Sequence, residues 1–219
     1  MGTLRGIVFD MDGVIIDSHP AHRLAWKAFF ESLGRQTSDE ELDFILDGCK
    51  RAEILKHFLG DLTPEQIAEY GKRKDELLKE HNLDIEPTPG VVEFLKLLSH
   101  AGIRAGLATS ASRRRTVGTL KELELAHYFE TIVTGDDVTM GKPDPALYQL
   151  AAERMQESPE RLIAVEDAVA GIKSAKAAGM RCLGVAASQR AHLLRAAGAE
   201  HVISDFRTFS LSQLESRFA

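Results

Sequence analysis

Two carboxylates, Asp10 and Asp12, stand one residue apart in the segment VFDMDGVIIDS, where an apolar run ends. Residues i and i+2 of an extended chain point to the same side, so both acids are expected in one small volume at the end of a strand. Two like charges ~4 Å apart repel by roughly 4 kcal/mol at a typical effective dielectric constant. A metal ion or a shared proton is the usual compensation, and we expect one of them here.

Two later clusters have the character of an anion site. The segment LATSAS places the hydroxyls of Thr109 and Ser110, together with backbone N–H groups, at the expected start of a helix, which favours a bound anion. The segment GKPDP holds Lys142 in a loop framed by glycine and proline, where a fixed positive charge suits a phosphate.

A fourth cluster, AVEDA, ends another apolar run with Glu166 and Asp167. With Asp10 these acids supply the hard oxygen ligands that Mg²⁺ prefers. If Asp10 is a nucleophile toward phosphorus, Mg²⁺ and Lys142 would neutralise the repulsion between its carboxylate and the phosphate. Asp12 would act as general acid to the leaving oxygen and as general base to the next acceptor.

Each cluster taken alone has an ordinary structural explanation. Paired aspartates can cap a strand or lie in an unrelated loop, and Thr109 can be the N-cap of a helix. Lys142 can be a solvated loop lysine, and the acids at 166 and 167 can form the first turn of a helix. All four in this order, each after an apolar run, favour one shared site.

The surrounding sequence alternates short apolar runs with helical patterns. The apolar runs are Gly6–Asp10, Gly102–Thr109, Thr131–Gly135, Arg161–Asp167, Met180–Val185 and His201–Asp205. This alternation predicts an α/β fold with a doubly wound parallel sheet covered by helices on both faces. Sites in such sheets lie beyond the carboxyl ends of the strands, where the four clusters fall.

Residues 18–87 break this alternation, because they contain amphipathic helical stretches and no convincing strand. Ser38 with Glu41 forms a capping box, and Thr63-Pro64 followed by Gln66 marks another helix start. We therefore predict a helical cap domain over residues 18–87, inserted into a core formed by residues 1–17 and 88–219.

The overall composition excludes several classes of protein. With 219 residues, 44% apolar and 27% charged, the chain is typical of a soluble globular protein. A net charge of −6 without a long basic run argues against nucleic acid or an anionic membrane as partner. Without a signal peptide or a long apolar stretch, we expect a cytoplasmic location. Cys49 and Cys182 are expected to be free thiols.

The segments FDMDG, LATS, GKPDP and VEDAVAGI together resemble the haloacid dehalogenase-like superfamily, and within it the β-phosphoglucomutase-like phosphatases and mutases. The resemblance covers essentially the whole chain and implies a Rossmann-like core with a small helical cap. It also implies that Thr109 and Lys142 hold the transferring phosphate. The Mg²⁺ ligands that it implies are Asp10, the main-chain carbonyl of Asp12, Glu166 and Asp167.

The resemblance extends to residues expected in the cap. His22, Trp26, Arg51 and Lys74 match positions of the β-phosphoglucomutase pattern, in which the arginine contacts the distal phosphate and the lysine helps to couple closure to substrate. Simpler explanations remain open: Trp26 as a core aromatic, Lys74 covering a solvated face, and His22 as a structural histidine.

Two features sort the possible activities. Dehalogenases generally lack the second acid, so Asp12 favours phosphoryl transfer. The mutase pattern has serine, lysine and asparagine after the second motif, whereas this chain continues Ala111, Ser112, Arg113, Arg114, Arg115. The arginine run either substitutes for that pocket or forms an exposed helix start.

We therefore expect a sugar-phosphate phosphatase. The alternative is a β-phosphoglucomutase that interconverts β-glucose 1-phosphate and glucose 6-phosphate. A catalytically silent regulatory domain is disfavoured, because every catalytic position is retained. The expected partner is a small phosphorylated metabolite, not nucleic acid or a membrane, and the expected state is a monomer.

Overall fold

The computed structural model of the protein describes residues 4–45, 49–80 and 85–218. Its strands are β1 Gly6–Phe9, β2 Ile16–Asp17, β3 Glu86–Pro87, β4 Arg104–Ala108, β5 Thr131–Val133, β6 Leu162–Glu166, β7 Arg181–Val185 and β8 His201–Ile203. Its helices are α1 His19–Ser32, α2 Asp39–Ile45, α3 Arg51–Leu59, α4 Pro64–Glu80, α5 Val91–His100, α6 Arg113–Glu122, α7 Ala146–Met155, α8 Val169–Ala177, α9 Ala191–Ala197 and α10 Leu211–Phe218. Within these described ranges, no helix is both long and apolar enough to cross a membrane.

Six strands form one parallel sheet in the order β5-β4-β1-β6-β7-β8. Strand β1 is buried along its whole length, and its side chains alternate between two hydrophobic cores. Ile7 and Phe9 pack with α5 and α10, whereas Val8 packs with α7, α8 and α9 on the other face. This burial on both faces explains the continuous apolar run of β1 and confirms the predicted α/β fold.

Helices α1 to α4, here called the cap helices, pack around a separate aromatic cluster. Trp26, Phe29, Phe30 and Phe58 lie in this cluster, and each is at most 6% exposed. The bounds of the cap domain, residues 18–87, stay a prediction.

Both predicted helix starts in the cap are confirmed. The Ser38 N–H donates to Glu41 Oε2 (2.9 Å), and the Glu41 N–H donates to Ser38 Oγ (3.2 Å). The Thr63 N–H donates to Gln66 Oε1 (2.8 Å), and helix α4 begins at the intervening Pro64.

The chain enters and leaves the cap helices through a short two-stranded ribbon. Strand β2 pairs antiparallel with β3, Ile16 opposite Pro87 and Asp17 opposite Glu86. The expectation of no strand up to residue 87 is therefore wrong at its last two residues. Two residues are too few to show a strand periodicity, and the pairing joins segments about 70 residues apart.

Candidate active site

The order of the strands brings the predicted clusters to one edge of the sheet. Asp10 directly follows β1, Thr109 directly follows β4, and Glu166 is the last residue of β6. The Asp10 N–H donates to Val165 O (2.9 Å), which extends the β1–β6 pairing to the aspartate. Because β1 lies between β4 and β6, the three side chains meet at the carboxyl ends of adjacent parallel strands.

Lys142 lies between two of these carboxylates. Its side chain is 1% exposed, and its Nζ donates to Asp10 Oδ1 (2.6 Å) and to Glu166 Oε1 (2.5 Å). Burial opposes the charge on Lys142, but the two carboxylates outweigh it and raise the pKa of the lysine. Burial raises the pKa of Asp10 well above its usual value, against the opposing effect of the Lys142 charge. The solvated loop lysine that the sequence left open is therefore wrong.

Glu166 is fixed by several hydrogen bonds besides that of Lys142. The hydroxyl of Tyr148 donates to its Oε1 (2.7 Å), and the Asp167 and Ala168 N–H groups donate to its Oε2 (3.2 and 3.4 Å). A Cβ on Gly171 would lie 2.0 Å from this carboxylate. The glycine of helix α8 therefore provides the space that Glu166 occupies.

Asp10, Glu166 and Asp167 form a buried group that suits a divalent cation. One oxygen from each lies within 4.8 Å of the others. Among the described residues, no donor makes a well-oriented hydrogen bond to buried Asp167 Oδ2, although His19 Nε2 lies 3.0 Å away. A buried cluster of carboxylate oxygens is the donor set that a hard cation such as Mg²⁺ prefers. The predicted ligand role of the Asp12 carbonyl stays a prediction.

The second aspartate has a different cation as its partner. Arg115 donates to Asp12 through Nη1 to Oδ2 (2.7 Å) and through Nη2 to Oδ1 (2.5 Å), and the Ser18 hydroxyl also donates to Asp12. Burial would raise the pKa of Asp12, but the charge and hydrogen bonds of Arg115 outweigh it and hold that pKa well below its usual value. Lys142 and Arg115 thus place a positive charge beside Asp10 and Asp12, respectively, which offsets part of the repulsion between the two aspartates.

Thr109 is 1% exposed, and its Oγ1 accepts a hydrogen bond from the Ala111 N–H (3.1 Å). The expected helix start at Thr109 and Ser110 is wrong, because α6 begins at Arg113. Its N-cap is Ser112, whose hydroxyl accepts from the Arg115 N–H (3.4 Å). The two hydroxyls therefore lie in the turn between β4 and α6.

A cavity of about 310 Å³ lies between this sheet edge and the cap helices. The sheet edge contributes Asp10, Asp12, Thr109 and Ser110 to its lining, and the cap helices contribute His22, Arg51 and Lys74. The structure thus brings these seven predicted site residues around one space of the size that small ligands occupy, whereas Lys142 and Glu166 lie behind its wall.

Lys74 and His22 form a buried pair in the cap. Lys74 is 2% exposed, and its Nζ lies 2.7 Å from His22 Nδ1 and 5.6 Å from the centre of the Trp26 ring. Burial, together with the charge of Arg115, lowers the pKa of Lys74 to about 7. Burial and the Lys74 charge lower the pKa of His22 well below its usual value. The solvated face proposed for Lys74 is wrong, whereas Trp26 belongs both to the aromatic core and to the cavity wall.

Three contributors to the site were not identified from the sequence. The role of the arginine run was left open, and within it Arg114 is 81% exposed whereas Arg115 is 15% exposed. The signal available in the sequence was Ser112, a good N-cap residue. A helix that starts at Arg113 has Arg115 in its first turn. Tyr148 and Gly171 carried no local signal, because their contacts with Glu166 depend on how α7 and α8 pack.

Comparison with known proteins agrees with this geometry. A family model described as haloacid dehalogenase-like hydrolase matches residues 7–185. The chain is 33% identical over 190 residues to the phosphorylated carbohydrates phosphatase of Thermotoga maritima, covering 81% of this chain and 82% of that protein. It is 34% identical over 199 residues to the beta-phosphoglucomutase of Bacillus subtilis, covering 85% of each. The crystal structure of CbbY from Rhodobacter sphaeroides in complex with phosphate matches with a TM-score of 0.81 at 28% identity, covering 97% of this chain and 100% of that chain.

Proposed function

This chain belongs to the haloacid dehalogenase-like hydrolase family, and from that premise we propose that it is a Mg²⁺-dependent phosphatase of a small sugar phosphate. The observation that carries the proposal is the position of Asp10. Its carboxylate faces the cavity, contacts Lys142 and shares the cation-binding group with Glu166 and Asp167.

In the proposed reaction an Asp10 oxygen attacks phosphorus, and the ester bond to the sugar oxygen breaks. Asp12 gives a proton to the leaving oxygen, and it later takes a proton from the water that hydrolyses the phosphorylated Asp10. Arg115 keeps Asp12 ionised in this conformation, which is the form that accepts a proton from water. Proton donation in the first step therefore requires the Arg115 contact to loosen.

The remaining residues neutralise and orient the phosphate. Lys142 brings a buried positive charge to the sheet edge, where Thr109 and Ser110 offer hydroxyl groups. The acids 10, 166 and 167 would hold Mg²⁺, which when bound supplies further positive charge against the phosphate oxygens. The cap helices cover the cavity and would exclude bulk water during transfer. Since they belong to the same chain, we propose a monomer as the active form.

A β-phosphoglucomutase is the second candidate. The observation in its favour is that His22, Arg51 and Lys74 line the same cavity as Asp10. In a mutase these groups would hold the far end of a bisphosphate while it turns between two orientations.

The deciding experiment is phosphorus NMR of the purified protein with Mg²⁺, β-glucose 1-phosphate and a trace of the 1,6-bisphosphate. A parallel panel of other sugar phosphates is assayed for released inorganic phosphate, with a chelator and Asp10→Asn as controls. Release of inorganic phosphate that depends on both Mg²⁺ and Asp10 supports the phosphatase. Conversion to glucose 6-phosphate without free phosphate identifies the mutase, and no reaction with any substrate contradicts both.

A further inference from the structure

Arg51, at the start of α3, forms an ion pair with a neighbouring cap helix. Its Nη2 donates to Asp75 Oδ1 on α4 at 2.7 Å, and the two side chains are 33% and 18% exposed. Arg114 Nη2 from the core lies 3.8 Å from the other oxygen of Asp75, and Lys74 Nζ lies 4.0 Å from Oδ1. Asp75 is therefore the carboxylate that offsets part of the positive charge that Arg51 brings to the cavity wall.

A glycine on α4 permits this arrangement. A Cβ on Gly71 would lie 2.5 Å from Arg51 Nη1 and 2.8 Å from Arg51 Cδ. The guanidinium thus crosses α4 over Gly71 and meets Asp75 one turn later. Glycine inside a helix costs about 1 kcal/mol relative to alanine. Its presence here is explained by the close approach of Arg51.

The other positive side chains along the cavity also have partners. Lys50 Nζ donates to the backbone oxygens of Val138 (2.7 Å) and Thr139 (3.2 Å). Arg115 contacts Asp12, and Lys74 contacts His22. In the described part of the chain, no lysine or arginine lining the cavity lacks a polar partner. A second phosphate on the substrate would have to share these side chains with their present partners.

We propose that Asp75 is a specificity-determining residue that directs the cavity to monophosphate esters of uncharged sugars and polyols. A second phosphate near Arg51 would meet the negative charge of Asp75, and like charges at close range are strongly unfavourable. A hydroxyl group meets no such repulsion and can accept a hydrogen bond from the remaining N–H groups of Arg51. This inference rests on the proposed function and specifies its substrate class.

The test measures binding, so it does not depend on turnover. β-Glucose 1-phosphate and β-glucose 1,6-bisphosphate are titrated by calorimetry, with Mg²⁺, into Asp10→Asn and into Asp10→Asn combined with Asp75→Asn. We expect Asp75→Asn to lower the Kd of the bisphosphate relative to that of the monophosphate by about tenfold. Glu76→Gln is the matched control, because it removes one negative charge from the adjacent, half-exposed position of the same helix. It should leave the ratio unchanged.

Two further variants test whether the effect passes through Arg51. Gly71→Ala should displace the guanidinium from Asp75 and change the ratio in the same direction. Arg51→Gln combined with Asp75→Asn should remove the gain. The proposal is overturned if the ratio of the two Kd values is unchanged in the folded Asp75→Asn protein. It is also overturned if the tighter binding of the bisphosphate survives Arg51→Gln, or if neither sugar phosphate binds. The proposed phosphatase function fails separately, if wild-type protein releases no phosphate from the substrate panel.

Discussion

The guanidinium of Arg115 and the carboxylate of Asp12 form a two-point contact, with N–O distances of 2.7 and 2.5 Å. The contact joins the first turn of α6 to the loop after β1, across 103 residues of sequence. Bidentate pairs of this kind fix the orientation of a carboxylate as well as its charge. Arg115 therefore decides where the Asp12 oxygens point.

Replacing Arg115 by alanine should slow phosphoryl transfer. A displacement of a reacting group by about 1 Å can lower kcat by about 10²-fold. Arg115→Lys should recover part of the loss, because it restores the charge without the fork of two donors. Steady-state kcat and KM give the measurement, and the highly exposed Arg114→Ala is the control. A wild-type kcat in Arg115→Ala would contradict the positioning role.

Asp10→Asn should abolish turnover and leave the fold intact, since the side chains are nearly the same size and an amide is not a nucleophile toward phosphorus. Phosphate release and thermal unfolding monitored by circular dichroism check the two parts. Asp61→Asn, at a side chain that is 93% exposed, should behave as the wild type does. Residual activity of Asp10→Asn near the wild-type level would mean that another group is the nucleophile.

Gly171→Ala should weaken metal binding and destabilise the protein, because its methyl group would occupy the space of the Glu166 carboxylate. We expect a loss of about 1–3 kcal/mol in the free energy of unfolding, the usual cost of overpacking a core. Gly118→Ala in α6 is the control, since nothing lies within 4 Å of its added carbon. That change should raise stability by about 0.5–1 kcal/mol. Calorimetric titration with Mg²⁺ and urea unfolding distinguish the two variants.

Lys74 should make stability depend on pH. Its pKa is about 7 in the folded protein and 10.5 when unperturbed, so below pH 7 the folded state bears the full cost of burying a charged amine. Between these values the unfolded state binds the additional proton, and stability rises with pH by up to about 1.4 kcal/mol per unit. The free energy of unfolding of wild type relative to Lys74→Met should therefore increase from pH 7 to 10. The exposed Lys72→Met provides the comparison, and a flat difference for Lys74→Met would contradict the burial cost.

The sequence predicted the parts of the site that follow from strand ends. Asp10, Thr109 and Glu166 could be placed together because the carboxyl ends of adjacent parallel strands share one edge. The contacts of Arg115 with Asp12 and of Arg51 with Asp75 could not be predicted. These contacts depend on how the helices cross, and no local pattern encodes the relative positions of the helices. The two-residue strand at Glu86–Pro87 could not be predicted either, because it is too short to show a periodicity.

The central place of β1 has a consequence for synthesis on the ribosome. The strand emerges before both of its neighbours, because β4 and β6 follow about 100 and 155 residues later. In a nascent chain halted before residue 162, the edge of β1 that pairs with β6 has no partner. Two of the three acids of the cation group, Glu166 and Asp167, have not yet been synthesised. The edge of β1 toward β6 is then a hydrophobic surface open to wrong pairing. The interval between the synthesis of β4 and that of β6 is therefore the one in which a chaperone has most to protect.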